Sequence, residues 1–260
     1  MVCHIPSMQE SMPCVGIVAI AGCLTFVLAP DQKSTPTLST HPPETLPVVV
    51  LDPGHGGIDD GAHSNGLLEK ELTLDVAQRA ERFLQAFGFQ TALTRRDNRS
   101  TVSLEQRAAI ANQYDHSVFV SLHFDKTEHA SANGVAVFYP ERKATARESW
   151  SWAGIFDAPP EVKAVRDEEL AGHIQAAMLS RTEANNRGIK ARDLYVVRNV
   201  RSPAVLVEGG FLSNVFDARL VGTPEYRERL AASIVEGILI YQRMETREAA
   251  EQPGLASVAH

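Results

Sequence analysis

Apolar positions along this chain fall into two kinds of block. Uninterrupted short runs such as Val48-Val49-Val50-Leu51 suit strands buried on both faces. Longer blocks carry an apolar residue every three or four positions. Over 69–87 these are Leu72, Val76, Ala80, Phe83, Leu84 and Phe87, one face of a helix that Gly88 ends. The same reading predicts strands at 89–94, 117–122 and 134–139, and a helix over 167–184. Ser103, with Gln106 completing a capping box, opens another helix. Short apolar strands are expected at 194–197 and 204–207. Thr223-Pro224 starts a last helix with Leu230, Ile234, Ile238 and Tyr241 on its buried face. Strands alternating with helices predict an α/β fold: a three-layer α/β/α domain around a central, mostly parallel or mixed sheet of about six strands.

The periodicity lapses in four places, and these set the domain limits. Residues 14–29 carry no charge, and 30–45 are rich in Pro, Thr and Ser. The first reads as a signal or membrane-anchor segment within 1–29 and the second as a linker. No Lys or Arg precedes the apolar run and Glu10 does, so a wrongly assigned start or a disordered leader stays open. Ile20-Ala21-Gly22-Cys23 resembles a lipoprotein cleavage box, which makes Cys23 a candidate lipid anchor. The folded domain is expected over 46–244, with a disordered polar tail at 245–260. Residues 141–165 lack a clean period and contain Pro159-Pro160, so they read as a long inserted loop.

Composition narrows the picture. The chain is 44% apolar, enough for one ordinary core. A net charge of −7 without a large basic patch argues against a nucleic-acid partner. The three cysteines, Cys3, Cys14 and Cys23, all precede the domain, which therefore has neither an internal disulfide nor a thiolate metal site.

Candidate chemistry lies at strand ends, where α/β folds place ligands. His55 follows the first strand, between Gly54 and Gly56-Gly57. A phosphate-binding loop is the rival reading, but the Gly-Lys-Ser/Thr ending is missing. His123 ends the third strand in the same relation to the sheet. Two histidines and one carboxylate leave a tetrahedral zinc one open position for water. Glu69 and Glu71 both stand at the start of the first helix, where acids also simply favour the helix dipole. Asp52 and Asp125 are candidates to orient a ligand imidazole, or turn residues. Glu208 ends the last apolar strand before Gly209-Gly210, placed either to take a proton from that water or to form a strand-end salt bridge.

These segments, in this order, resemble the zinc-dependent N-acetylmuramoyl-L-alanine amidases of bacterial cell walls, the amidase-3 type. The resemblance runs from about Val48 to Tyr241 and includes Leu93-Thr94-Arg95, Ser103-Leu104-Glu105-Gln106-Arg107, Arg187-Gly188-Ile189-Lys190 and the stretch from Val207 to Asn214. It implies that His55, Glu69 and His123 bind Zn2+ and that Glu208 is catalytic. It also implies peptidoglycan as substrate, cleaved between N-acetylmuramic acid and L-alanine by zinc-activated water. The apolar run at 14–29 and the linker after it add the expectation of export to the periplasm or cell envelope, with room for a protein activator and for membrane attachment through the N-terminus. Arg95, Arg107 and Arg198 become candidates for peptide carboxylates, with framework salt bridges as the alternative. Phe124 stands where the family has a small residue and Gly209 where a larger one is common, so both are expected to reshape the pocket. Another zinc amidohydrolase or carboxypeptidase, or an inactive wall-binding protein, remains the alternative function. The inserted loop carries Trp150, Trp152 and Phe156, which are expected to line one wall of the substrate groove or to pin the loop.

Overall fold

Val48–Pro53 (β1) is buried along nearly its whole length, as an uninterrupted apolar run requires. It pairs in parallel with Thr91–Leu93 (β4) on one side and Ser117–Asp125 (β5) on the other. The computed structural model describes residues 46–129, 131–142 and 160–251. These belong to one compact unit, Pro43–His260. The expected N-terminal segment, the linker up to residue 45, the loop aromatics Trp150, Trp152 and Phe156, and residues 252–260 lie outside the described residues. Among those described, no helix is long and apolar enough to cross a membrane.

A small hairpin, His63–Ser64 (β2) with Leu67–Leu68 (β3), leads directly into the helix Glu69–Ala86 (α1). Leu104–Ala111 (α2) starts at the expected capping box, with both reciprocal bonds between Ser103 and Gln106 present. Val135–Pro140 (β6) precedes the helix Pro160–Thr182 (α3). Asn186–Arg192 (β7), the short helix Tyr195–Arg198 (α4) and Ala204–Phe211 (β8) follow, then the helices Val215–Val221 (α5) and Pro224–Glu251 (α6). The sheet order is β4-β1-β5-β8-β6-β7. β8 runs parallel to β5, β6 is antiparallel to β8, and β7 is parallel to β6. The expected layered fold with six mixed strands is therefore present. One core joins α1, α3 and α6 to one face of the sheet through Val49, Leu84, Ile174 and Ile234. A smaller core joins α2 and α4 to the other through Val50, Phe119, Val197 and Leu206.

Four expectations need correction. Residues 195–198 form a helical turn rather than a strand, because a short apolar run does not by itself distinguish the two. Strand β7 was not expected: as an edge strand it needs few apolar residues, and Ile189 and Ala191 are the ones it has. Helix α3 begins at Pro160, inside the expected loop, since proline suits a first helical turn. Helix α6 passes Met244 and continues to Glu251 through the stretch read as the start of the tail.

The two family departures turn out to be one packing feature. Phe124 is buried at 2% exposure, on the core side of β5 rather than in a pocket. A Cβ at Gly209 would stand 2.8 Å from Phe124 Cε1 and 2.5 Å from Leu230 Cδ2. The phenyl ring thus occupies the space that a larger residue at 209 would need. Gly209→Ala should lower stability by about 1–3 kcal/mol through overpacking, read as a lower melting temperature. Adding Phe124→Leu should return part of that loss. Strictly additive effects of the two changes would show that the residues are uncoupled.

Candidate functional site

The C-terminal ends of β1, β5 and β8 meet the N-terminus of α1, and the candidate residues converge there. His55 leaves β1 in a left-handed conformation, φ 61°, which costs about 1–3 kcal/mol in a non-glycine residue. The loop is held in that shape. Arg107 Nη2 donates to the His55 carbonyl at 2.6 Å, and Lys70 Nζ donates to the Gly57 carbonyl at 3.0 Å. Arg95 Nη2 donates to the Gly54 carbonyl at 2.7 Å. Gly54 has no room for a side chain, because a Cβ would lie 2.4 Å from the His123 ring. At Gly61 a φ of 68° and the closeness of Glu69 Oε2 and the His55 ring likewise demand glycine.

His55, Glu69 and His123 bring one ligand atom each to within 4.8 Å of one another, a set that can hold a metal ion. Glu69 Oε1 lies 3.0 Å from His55 Nε2 and 3.0 Å from His123 Nδ1. The two imidazoles meet edge to face, 4.9 Å between centroids. The backbone fixes the carboxylate: Phe124 N donates to Oε1 at 2.9 Å and Ala62 N to Oε2 at 2.7 Å. Burial alone would raise the Glu69 pKa, but the contacts with His123 and His55 outweigh it and hold the carboxyl far below its ordinary value. At His55, burial favours the neutral ring, but the carboxylates of Glu69 and Asp59 overcome it and raise its pKa. A cluster of two imidazoles around one carboxylate that stays ionised fits a divalent cation. The choice between the two acids is resolved by position: Glu69 is 3% exposed, whereas Glu71 faces solvent.

Glu208 is the strand neighbour of His123 in the β5–β8 register. Its Oε2 is buried with no hydrogen-bond partner. Burial, reinforced by the negative charges of Glu69 and Asp125, pushes its pKa well above the usual carboxylate range. An unpaired buried carboxylate oxygen beside a set that can hold a metal needs a partner that a water or substrate would supply. The cleft between this set and α2 is lined by His55, Asp59, Leu104, Arg107, His123 and Val196, among others.

Several expected roles change. Asp52 does not touch an imidazole. It accepts from Thr94 Oγ1 at 2.5 Å, Arg107 Nη1 at 2.6 Å and Ser121 Oγ at 2.7 Å, all buried. Asp125 makes no hydrogen bond to either histidine. The residue that orients His55 is Asp59, whose Oδ2 lies 2.8 Å from Nδ1. Its signal in the sequence was an acid four positions after the histidine. Arg95 and Arg107 are buried framework residues rather than ligands for a peptide. Burial, together with the charge of Arg107, lowers the Arg95 pKa to about 10. Arg198 pairs with Asp193 and lies over the Tyr195 ring.

Residues 49–239 match the family model for N-acetylmuramoyl-L-alanine amidase. The germination-specific N-acetylmuramoyl-L-alanine amidase of Bacillus subtilis (strain 168) is 31% identical over 208 residues, covering 75% of this chain and 79% of that protein. N-acetylmuramoyl-L-alanine amidase LytC of the same organism is 32% identical over 216 residues. That match covers 81% of this chain, which spans only 40% of LytC. Among solved structures, the CwlD amidase of Clostridioides difficile in complex with the GerS lipoprotein superimposes with a TM-score of 0.65 at 28% identity. That match covers 76% of this chain and 99% of CwlD. Sequence and fold thus agree with the residue set assembled at the strand ends, and the chain belongs to the N-acetylmuramoyl-L-alanine amidase family.

Proposed function

We propose that this chain is a zinc-dependent hydrolase of peptidoglycan that cleaves the amide between N-acetylmuramic acid and L-alanine. The observation that carries this reading is the convergence of His55, Glu69 and His123 beside Glu208, whose buried Oε2 has no hydrogen-bond partner, in a chain of this family. The donor set fits zinc: two imidazole nitrogens and one carboxylate oxygen, with no thiolate, leave one tetrahedral position free. Zinc held there supplies Lewis acidity, polarising an amide carbonyl and letting water lose a proton near neutral pH. Asp59 fixes the His55 ring so that Nε2 faces the other ligands. Glu208 takes the proton of the attacking water on Oε2. It then gives that proton to the departing amino group of L-alanine as the bond to the lactyl carbonyl breaks. A carboxyl group whose pKa is raised by burial is suited to both halves of that exchange.

Action on the wall would require export, and the uncharged run at 14–29 supports it. Lipid attachment at Cys23 and a periplasmic site belong to the same proposal. The complex of CwlD with a lipoprotein supports a protein activator for this chain as well.

Digestion of purified peptidoglycan, with mass spectrometry of the products, tests the bond directly. Stem peptides with a free L-alanine amino group are expected, and products cleaved within the peptide would point to a different amidohydrolase. Chelation should abolish the activity and zinc should restore it. Glu208→Gln should keep zinc yet lose roughly a hundredfold or more in turnover, because an amide cannot accept the proton. His55→Ala should lose the metal itself, and the reverse pattern of metal retention would overturn the assigned roles.

Asp59→Ala should weaken zinc affinity by about 10–100-fold, measured by competition with a chromophoric chelator. Unchanged affinity would mean that the Asp59 contact does not orient His55 as a ligand. Cell fractionation should find the protein in the envelope. Incorporation of a fatty-acid analogue that disappears in Cys23→Ala would establish the lipid anchor, and a wholly cytosolic protein would refute export.

A further inference from the structure

Once Arg95 and Arg107 are assigned to the framework, two of the remaining cations lie within electrostatic reach of Asp125 at the end of β5. Both are on β7. Among the described residues, neither Arg187 nor Lys190 forms an ion pair. The Arg187 guanidinium lies 4.6 Å from the centroid of Phe211, and one N–H donates to the Asn133 carbonyl at 3.5 Å. Lys190 Nζ stands 5.8 Å from the Phe138 ring centroid. Asp125 feels both positive charges without being paired to either.

Their place in the sheet is set by a bulge. Val135 pairs with Asn186 and Val137 with Ile189, so Arg187 and Gly188 together stand opposite Ala136. Gly188, at φ 77°, supplies the left-handed residue that such a bulge uses. Ala136 pairs on its other side with Glu208, and Glu208 with His123. One row thus crosses the sheet from the ligand set to the bulge. Two inter-strand steps of about 4.8 Å put the bulge roughly 10 Å from Glu208. An extended peptide covers that distance in about three residues, and a long cationic side chain shortens the gap further.

We propose that Arg187 and Lys190 form the subsite for the stem-peptide carboxylate nearest the scissile amide, the one on the residue after L-alanine. The peptide leaves the Glu208 side of the cleft and crosses β8 and β6 towards the edge strand. The guanidinium, already placed against Phe211, offers its remaining N–H groups to the carboxylate, and Lys190 adds a second charge. The subsite depends on the amidase reading above, and it makes the enzyme sensitive to whether that carboxylate is free or amidated.

The test uses the full zinc-loaded chain and two matched muramoyl tripeptides, with the second-residue carboxylate either free or amidated. The wild-type chain should favour the free acid by roughly three- to tenfold in kcat/KM, the range for a partly exposed charged contact. R187Q and K190Q should raise KM for the free acid and shrink that preference, with kcat little affected, while R187K should keep part of it. Melting temperatures identify any variant that fails to fold, in which case R187K and K190Q decide. Equal losses on both substrates, or an unchanged preference, would overturn the subsite while leaving the amidase reading intact. A wild-type chain that cleaves neither tripeptide and not the polymer would remove the amidase reading and the subsite together.

Discussion

The site rests on one buried ion pair. Asp52, next to last in β1, is 1% exposed and receives Thr94 from just past β4, Ser121 from β5 and Arg107 from α2. A carboxylate taken out of water is strongly unfavourable unless its oxygens are filled, and here three donors fill them. Arg107 completes the arrangement by donating onward to the carbonyls of Val102, Pro53 and His55. The strained His55 backbone is therefore fixed by the same group that neutralises Asp52. Removing either partner would leave a buried charge, at a cost of about 3–5 kcal/mol, and would release the loop that presents the first histidine. Arg95 repeats the theme with neutral acceptors, binding the carbonyls of Pro53, Gly54 and Lys70. Three strands and two helices meet at a polar knot next to the three residues that can hold a metal.

How far the fold can be read from the sequence follows from how much of each element is buried. Strands β1, β5 and β8 are covered on both faces and appear as plain apolar runs. Helices α1 and α6 show a regular face because each packs against the sheet and against the other. Edge strand β7 has solvent on one side, so Asn186-Arg187-Gly188-Ile189-Lys190 carries no alternation to detect. Helix α5 is seven residues long and is set by a single Asn214 cap that accepts from Phe216 N and Asp217 N. Such a local hydrogen bond leaves little trace in hydrophobic periodicity. The apolar run before Arg198 was legible as buried but not as helical, since burial fixes the residue type and not the backbone.

The candidate site was legible in the same uneven way. Histidines flanked by glycines at strand ends stand out, because few other roles need them there. The choice between Glu69 and Glu71 rested on resemblance, and the structure accounts for it: the first residue of α1 points into the cleft, and a residue two positions on points away. Asp59 escaped because it acts from an irregular turn in which Gly56 and Asp59 bridge back on each other. For the buried arginines the sequence left both a peptide-ligand and a framework reading open, because a side chain that satisfies backbone carbonyls has no sequence pattern of its own. Their five N–H donors suit them to that task.

The reversal of strand direction in the sheet gives the site its asymmetry. β1, β5 and β8 end at the cleft, whereas β6 and β7 begin there. The ends of the first group supply His55, His123 and Glu208. The starts of the second supply Gly134, Ala136 and the bulged edge, with a small residue paired to Glu208. Asp217 secures this border by accepting from both Gly134 N and Phe211 N, which ties the start of β6 to the end of β8. On the opposite face the exchange of bulk between Phe124 and Gly209 keeps the core filled beneath the same strands. The other face carries the His55, Glu69 and His123 set and the Glu208 oxygen that has no hydrogen-bond partner.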